Sequence, residues 1–384
     1  MADGSAGSRP RLGVHLDYRF RRSGGRVSAE RAFALFAFAL APHTGGLTLI
    51  GREEPEGEPY PYVLPDDVGF APLPFYASLG RPSAALLALP KTMVAFWRAL
   101  AGVDVVWLLG PHPMTLPFAV LARLRGRRVR LGARQDLRAY AANRHAGRGV
   151  FRLAAVLLDG AFRLLAKRYP LVVVGDGLAE TYRGARSLHV LYVSLIREDE
   201  IVTGAPAPDA RRLISVGRLD PEKNPLLLAD VMAQLGEGWT LDVYGDGPLA
   251  DALAARVAEL GLAERVTLRG YVTMGEELHR AYREAGALLH VSLTEGMPQV
   301  LLEAFAAHVP VVATAVGGVP GLAGDAALLV PPSDAVAAAA ALRRLAEEPG
   351  LRERLADAGE AVVRAHTSDV EAAALAAFLV GDRG

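Results

Sequence analysis

The sequence predicts an α/β protein built as two doubly wound, parallel-sheet domains. Short β-rich runs alternate with longer helical stretches from end to end, the pattern of parallel strands covered by helices. At 384 residues the chain is also too long for one ordinary core and comfortable for two. In the first half, strands are expected at 11–15, 47–50, 103–109, 129–131, 171–174 and 189–193, with helices over 29–41, 83–101, 116–124 and 150–167. In the second, strands are expected at 212–216, 241–244, 266–269, 287–291, 311–314 and 327–330. Two equal runs of strands favour two open sheets over a closed barrel.

The polar, Pro/Gly-rich stretch IREDEIVTGAPAPD marks the change of domain. The expected division is a first domain over 1–195, a linker over 196–210, a second domain over 211–366, and a terminal helix over 367–384 that crosses back to the first domain.

Composition narrows the function. Hydrophobic residues make up 51% of the chain and charged residues 22%, as in a folded globular protein. The absence of cysteine excludes disulfides, thiol catalysis and Cys-ligated zinc. Net charge is zero, but residues 1–195 hold 26 basic and 14 acidic side chains (+12), and 196–384 hold 16 and 28 (−12). That asymmetry suits an anionic partner for the first half, a membrane surface or an acidic substrate, or else a solvated charged face. No apolar run approaches a membrane span, and the start MADGSAGSRPR has no signal-like apolar region, so the expected location is cytoplasmic.

Chemistry concentrates in the second half. Gly217, Arg218 and Lys223 follow the strand at 212–216, leaving the sheet at its carboxyl edge, where open α/β folds bind ligands. A forked guanidinium and a point-charge ammonium suit a diphosphate. Gly245 and Gly247 form a Gly-rich turn after the next strand, which permits close approach of a ligand or serves only as a tight connection. In VSLTEGMPQVLLEA, Pro298 fits a first helical turn, so a helix is expected from Pro298 to about Ala307 with its amides free for phosphate. Glu295 stands before that turn and Glu303 inside the helix, one carboxylate on each side of the amides.

GRLDPEK, YGDGP, GYV and S-x-x-EGMPxVLLEA, followed by VPVVAT-x-VGG, resemble the retaining glycosyltransferases of family GT4, whose architecture is GT-B: two Rossmann-like domains facing a central cleft. The resemblance is dense over 211–345. It implies that Arg218 and Lys223 grip the donor diphosphate and that Glu295, Gly296, Met297 and Pro298 meet the transferred sugar. Glu303, with Val300 and Leu301 beside it, binds the ribose, and the backbone at Tyr271 and Val272 meets the base. Two positions depart from the pattern. His308 stands where a glycine is usual and reads as a surface helix cap, and Gly321 replaces an acidic residue.

The first half is less explicit. Gly24, Gly25 and Arg26 resemble the family's Gly-Gly loop between the first strand and the first helix, which approaches donor phosphate and acceptor. The usual strand-end histidine is replaced by Trp107 and Leu109, and His112, in GPHPM, is the nearest substitute, or an ordinary loop histidine. Arg134-Gln135-Asp136 follows another strand end, and Asp136 is assigned to an acceptor hydroxyl or an arginine. The stretch 150–167 either rests on anionic lipid or faces the core with a basic outer face.

The expectation is a metal-independent, retaining transfer of a hexose-type sugar from a UDP- or GDP-sugar to a hydroxyl of a glycan, glycolipid or small molecule. No cofactor and no nucleic acid are involved. Arg218, Lys223 and the helix amides stabilise the leaving diphosphate, and peripheral contact with the inner face of a membrane is open. The alternatives are a sugar-nucleotide 2-epimerase and a non-catalytic sugar-nucleotide-binding partner. A nicotinamide dehydrogenase is disfavoured because RSGGRVSAE supplies no G-x-G-x-x-G.

Overall fold

A computed structural model describes residues 9–55, 57–76, 82–134, 137, 149–204 and 209–381. Asp136 and part of the expected linker lie outside the described residues. The chain forms two compact units, residues 1–193 with 369–384, and residues 194–368.

The first unit is built on a nine-stranded sheet. Its strands are β1 (Leu12–Ser23), β2 (Arg26–Ala29), β3 (Leu47–Glu54), β4 (Tyr62–Val63), β5 (Val68–Leu73), β6 (Val105–Gly110), β7 (Arg128–Ala133), β8 (Leu171–Val174) and β9 (Leu188–Leu191). β6, reading VVWLLG, is buried along nearly its whole length, as parallel strands covered on both faces must be. Helices Pro82–Ala99, Thr115–Leu124 and Gly149–Ala166 bring Phe96, Phe118 and Phe162 against Val106, Leu108, Leu131 and Val173. The Thr115–Leu124 helix stops at Gly126, whose φ of 72° is the left-handed conformation that ends helices cheaply in glycine.

The sequence expectation is corrected most in β1. The strand does not end at residue 15. It pairs with β3 and β6 over Leu12–His15, breaks register between His15 and Arg19, and then pairs with β2 over Phe20–Ser23. Gly24 and Gly25, with φ of 55° and 80°, form the two-residue turn of that antiparallel hairpin, with Ser23 opposite Arg26. Two consecutive glycines at positive φ give the turn whose twist matches the strands. The expected β–α loop is therefore a hairpin tip, and the first helix is only Phe33–Phe38. β2, β4 and β5 were not visible in the sequence pattern.

The second unit carries a six-stranded parallel sheet of β10 (Arg212–Val216), β11 (Thr240–Tyr244), β12 (Val266–Gly270), β13 (Ala287–His290), β14 (Val311–Thr314) and β15 (Ala327–Val330). Their order is β12-β11-β10-β13-β14-β15, the doubly wound order, whose switch point lies between β10 and β13. Leu228, Val231 and Met232 of the Leu226–Gln234 helix and Leu342 and Leu345 of the Ala335–Glu347 helix pack with Leu241, Leu289 and Val312 of the sheet. Asp334 caps the latter helix, its Oδ1 accepting the Ala337 N–H at 2.8 Å. The terminal helix Ser368–Val380 packs within the first unit, where Arg130 Nε donates to the Leu379 carbonyl at 3.1 Å. Among the described residues no helix is long and apolar enough to cross a membrane.

Candidate active site

In the second unit the loops leaving β10 and β13 meet at the switch point. A pocket there is lined by Gly217, Arg218, Lys223, His290, Val291 and Ser292 among others. The Leu293 N–H donates to the Glu222 carbonyl at 2.9 Å, tying the two loops together. Across this tie, Lys223 Nζ donates to Glu295 Oε1 at 2.5 Å, and the Ser292 hydroxyl donates to the same oxygen at 2.6 Å. His290 Nε2 stands 2.9 Å from it. Burial pushes the Glu295 carboxyl upward, but His290 and Lys223 outweigh burial and hold it at about 2. Glu295 is therefore a buried carboxylate fixed in the ionised form, and the three neighbours all converge on Oε1. Sequence reasoning placed Glu295 and Lys223 but missed His290 and Ser292. The signal was present, since an imidazole closes the otherwise apolar run ALLH.

Arg218 reaches out from the same loop and is half exposed. Its guanidinium contacts Asp220 and sits 2.9 Å from Glu222. Lys223 closes a short 3-10 turn, Pro221–Lys223, that Asn224 leaves at φ 50°, a conformation asparagine tolerates.

The glycines of the pocket rim have a structural cause. A Cβ on Gly245 would lie 1.8 Å from the Gly217 carbonyl oxygen, and one on Gly247 would lie 2.7 Å from that of Leu219. Of the two readings left open for these glycines, the packing fits a tight connection against the neighbouring loop, whose Leu219 N–H donates to the Asp246 carbonyl at 2.9 Å. Gly317 and Gly318 back the Glu295 loop in the same way: a Cβ on either would lie 1.8 or 2.0 Å from the carbonyl oxygen of Glu295 or Gly296 respectively. Tyr271 projects into solvent and Val272 is half-buried.

The helix after Glu295 runs Gln299–Ala306, with Pro298 as its N-cap at φ −79°, ψ 106° rather than inside the first turn. Its first turn lacks i−4 carbonyl partners, and of its amides the Leu301 N–H donates to the Pro298 carbonyl at 3.2 Å. Val300 is half-buried and Leu301 fully buried. Glu303 is buried on the core side, where the Tyr282 hydroxyl donates to its Oε2 at 2.7 Å. Burial raises its carboxyl to about 7. His308 is not a surface cap. It is buried at φ 59°, just past the helix end, with Nε2 and Nδ1 each 3.6 Å from Asp357 and Glu360 carboxylates respectively.

The first unit holds a second polar cluster at the carboxyl edge of its sheet. β1 outlasts its partner β6, so residues 16–18 hang over the point where β6 exits into the His112 loop. His112 Nδ1 accepts the Met114 N–H at 3.3 Å, which places the ring proton on Nε2, 3.2 Å from Asp17 Oδ2. Arg52 Nε lies 3.0 Å from Asp17 Oδ1, and the Tyr76 hydroxyl donates to that oxygen at 2.9 Å. Burial pushes the Asp17 carboxyl up, but His112 and Arg52 prevail and keep it well below the usual range. His15 lies beneath, fully buried, and burial pulls its pKa down to about 3, so it is neutral. Asp17, Arg52 and Tyr76 belong to no recognisable motif, and only the fold assembles them. Arg26 is exposed beside the hairpin tip.

The profile of the family described as Glycosyl transferases group 1 matches residues 197–362. The D-inositol 3-phosphate glycosyltransferase of Actinosynnema mirum is 36% identical over 163 residues, 39% of this chain and 39% of that protein. The protein of the same name from Streptomyces bingchenggensis is 34% identical over 163 residues, 38% of this chain and 35% of that one. The chain thus matches little more than a third of the length of these relatives. Whole-chain likeness is to solved structures. Sucrose-phosphate synthase from Thermosynechococcus elongatus superposes with a TM-score of 0.72 at 20% identity, covering 96% of this chain and 98% of that one. Anabaena HepE, solved with UDP and glucose, gives 0.68 at 17% identity over 96% and 98% of the two chains. Residues 197–362 thus match the group 1 glycosyl transferases, in a chain whose fold is that of the GT-B glycosyltransferases.

Proposed function

We propose that the chain is a retaining glycosyltransferase of the GT4 kind. It moves a hexose-type sugar from a UDP- or GDP-sugar to a hydroxyl of a glycan, a lipid-linked acceptor or a small molecule. The observation that carries this reading is the Lys223–Glu295 pair at the β10/β13 switch point. Lys223 contacts a carboxylate fixed in the ionised form, and Arg218, able to exchange its surface carboxylates for phosphate, and the start of the Gln299–Ala306 helix lie on the same two loops. Lys223, Arg218 and the first amides of the Gln299–Ala306 helix would neutralise charge as the diphosphate leaves. All three neighbours of Glu295 fall on Oε1, which leaves Oε2 to accept from a hydroxyl of the transferred sugar. This electrostatic set supplies the leaving group's stabilisation from protein groups, so the reaction is proposed to run without a metal. On the first unit, the His112–Asp17 pair presents an ordered imidazole for an acceptor hydroxyl.

The experiment is to follow UDP-, GDP- and ADP-hexoses by proton NMR in the presence of EDTA and a panel of acceptors. The reading expects release of one nucleoside diphosphate and a product with the donor's anomeric configuration. An inverted product would remove retention, and no turnover of any donor would remove the transferase.

A specific surface supports a second proposal, that the first unit rests on an anionic membrane. Val94 and Trp97, Val120 and Leu124, and Leu153 and Leu157 project into solvent from three helices that pack on one another. Exposed Arg98, Arg123, Arg152 and Lys167 share these helices or follow them directly, and Arg125 stacks on Trp97 with 4.7 Å to the ring centre. Apolar side chains set among cations suit the boundary between lipid headgroups and acyl chains.

A further inference from the structure

Arg134 follows β7 directly, and its backbone N–H donates to the Gly110 carbonyl at 3.3 Å, which fixes it beside the exit of β6. Its guanidinium lies 4.2 Å from the ring centre of Phe33 and 5.4 Å from that of Tyr18. The neighbouring arginines of this sheet have acceptors. Arg19 pairs with Glu30, Arg52 with Asp17, and Arg130 with the carbonyls of Leu379 and Gly381. Arg134 has the two aromatic faces and, among the described residues, no carboxylate. Burial pulls its pKa down to about 10. A stacked guanidinium spends none of its N–H donors on the rings, so the forked edge is left for something else.

We propose that Arg134 is an oxyanion-binding site on the first unit, taking a phosphate or carboxylate carried by the acceptor. The aromatic seat holds the guanidinium plane, and the plane offers two parallel N–H donors to two oxygens of one anion. β1, β6 and β7 are neighbours in the sheet, so Tyr18, His112 and Arg134 leave one edge in strand order. An acceptor anchored by its anion at Arg134 would be held alongside the His112–Asp17 pair. The assignment of an acceptor to this unit rests on the glycosyltransferase reading; the anion site itself does not.

The test uses the full chain with inorganic phosphate as probe and UDP and GDP in parallel arms. Thermal unfolding is followed for the wild type, Arg134→Gln and Arg134→Lys as phosphate replaces chloride at constant ionic strength. At tenfold the dissociation constant the wild type should gain about 2 °C. Arg134→Lys should keep part of that gain and Arg134→Gln should lose it, any gain left in Arg134→Gln belonging to the Lys223–Arg218 site, with the nucleotide-induced rise equal in all three. In phosphate-free buffer Arg134→Gln should unfold no lower than the wild type, because it removes a half-buried charge that has no carboxylate partner among the described residues. Equal phosphate gains in the wild type and Arg134→Gln would overturn the site. A clear loss of stability in Arg134→Gln without phosphate would also overturn it, showing that the guanidinium holds the fold. Failure of the nucleotide arms alone would count against the transferase reading and leave the phosphate comparison intact.

Discussion

Lys223 Nζ and Glu295 Oε1 are 2.5 Å apart although 72 residues separate them in sequence. Each sits on a loop leaving one of the two strands that flank the switch point, so the pair closes the carboxyl edge of the second sheet. The Glu295 side chain is almost fully buried and that of Lys223 is 23% exposed. Lys223→Met should cost about 2 kcal/mol, because it strands a buried carboxylate on His290 and Ser292. It should also slow transfer about 100-fold or more, as loss of a donor aimed at developing charge does. Chemical denaturation and turnover of one purified variant check both.

Glu295 also sets an acid limit. Its carboxyl is held at about 2 against an ordinary 4.5, so its contribution to stability is full above 4.5 and is lost as pH falls through 2. Glu295→Gln should flatten that acid limb of a melting-temperature profile while abolishing transfer. An unchanged acid limb would show that the carboxylate is not held as described.

Glu303 has the opposite sign. Its carboxyl is raised to about 7, so the fold holds a proton that the unfolded chain releases near 4.5. Stability should therefore fall as pH rises from about 4.5 to about 7 and level off above, a change of about 3 kcal/mol at most. Glu303→Gln keeps an acceptor for the Tyr282 hydroxyl and should erase this slope. A slope unchanged in Glu303→Gln would assign it to another group.

His112→Ala should slow transfer without weakening nucleotide binding, since His112 lies in the first unit with Asp17. Asp17→Asn should follow it in the same direction, and the pair of changes should be far less than additive. Unchanged turnover in His112→Ala would make it a loop residue only.

Leu153→Ser combined with Leu157→Ser should reduce sedimentation with vesicles containing anionic phosphatidylglycerol, and wild-type binding should weaken as salt rises. Equal binding of the wild type to neutral and anionic vesicles would contradict the electrostatic part. No difference between wild type and variant would contradict the apolar part.

The second unit was legible because its strands are short apolar runs such as VVAT, buried throughout and preceded by Pro310, and ALLV, followed by Pro331. In the first, β3, β6, β7, β8 and β9 were legible too, but the far end of β1 was not, because it continues through LDYRFRRS, where Arg19, Arg21 and Arg22 point to Glu30, Glu54 and Glu53 on adjacent segments. Cross-strand ion pairs make a strand read as a charged loop. β5 carries Pro72 and pairs only with β3, an edge position that tolerates the missing N–H. The site shows the same division. Glu295, Lys223 and Arg218 lie in motifs, whereas Asp17, Arg52 and Tyr76 meet only because β1 overhangs β6. The rim glycines were legible by position, with ligand approach and tight connection both open, and what approaches Gly245 is the carbonyl of Gly217.

The most direct measurement is calorimetric titration of UDP, GDP, ADP and dTDP into the wild type, Lys223→Met and Arg218→Ala, with EDTA present. The account predicts that one nucleotide binds the wild type and that each variant weakens it about tenfold or more, in keeping with loss of a charged hydrogen bond to phosphate. Binding of equal strength in all three proteins, or of none of the four nucleotides to the wild type, would contradict the claim that the β10/β13 switch point is a nucleotide-sugar diphosphate site.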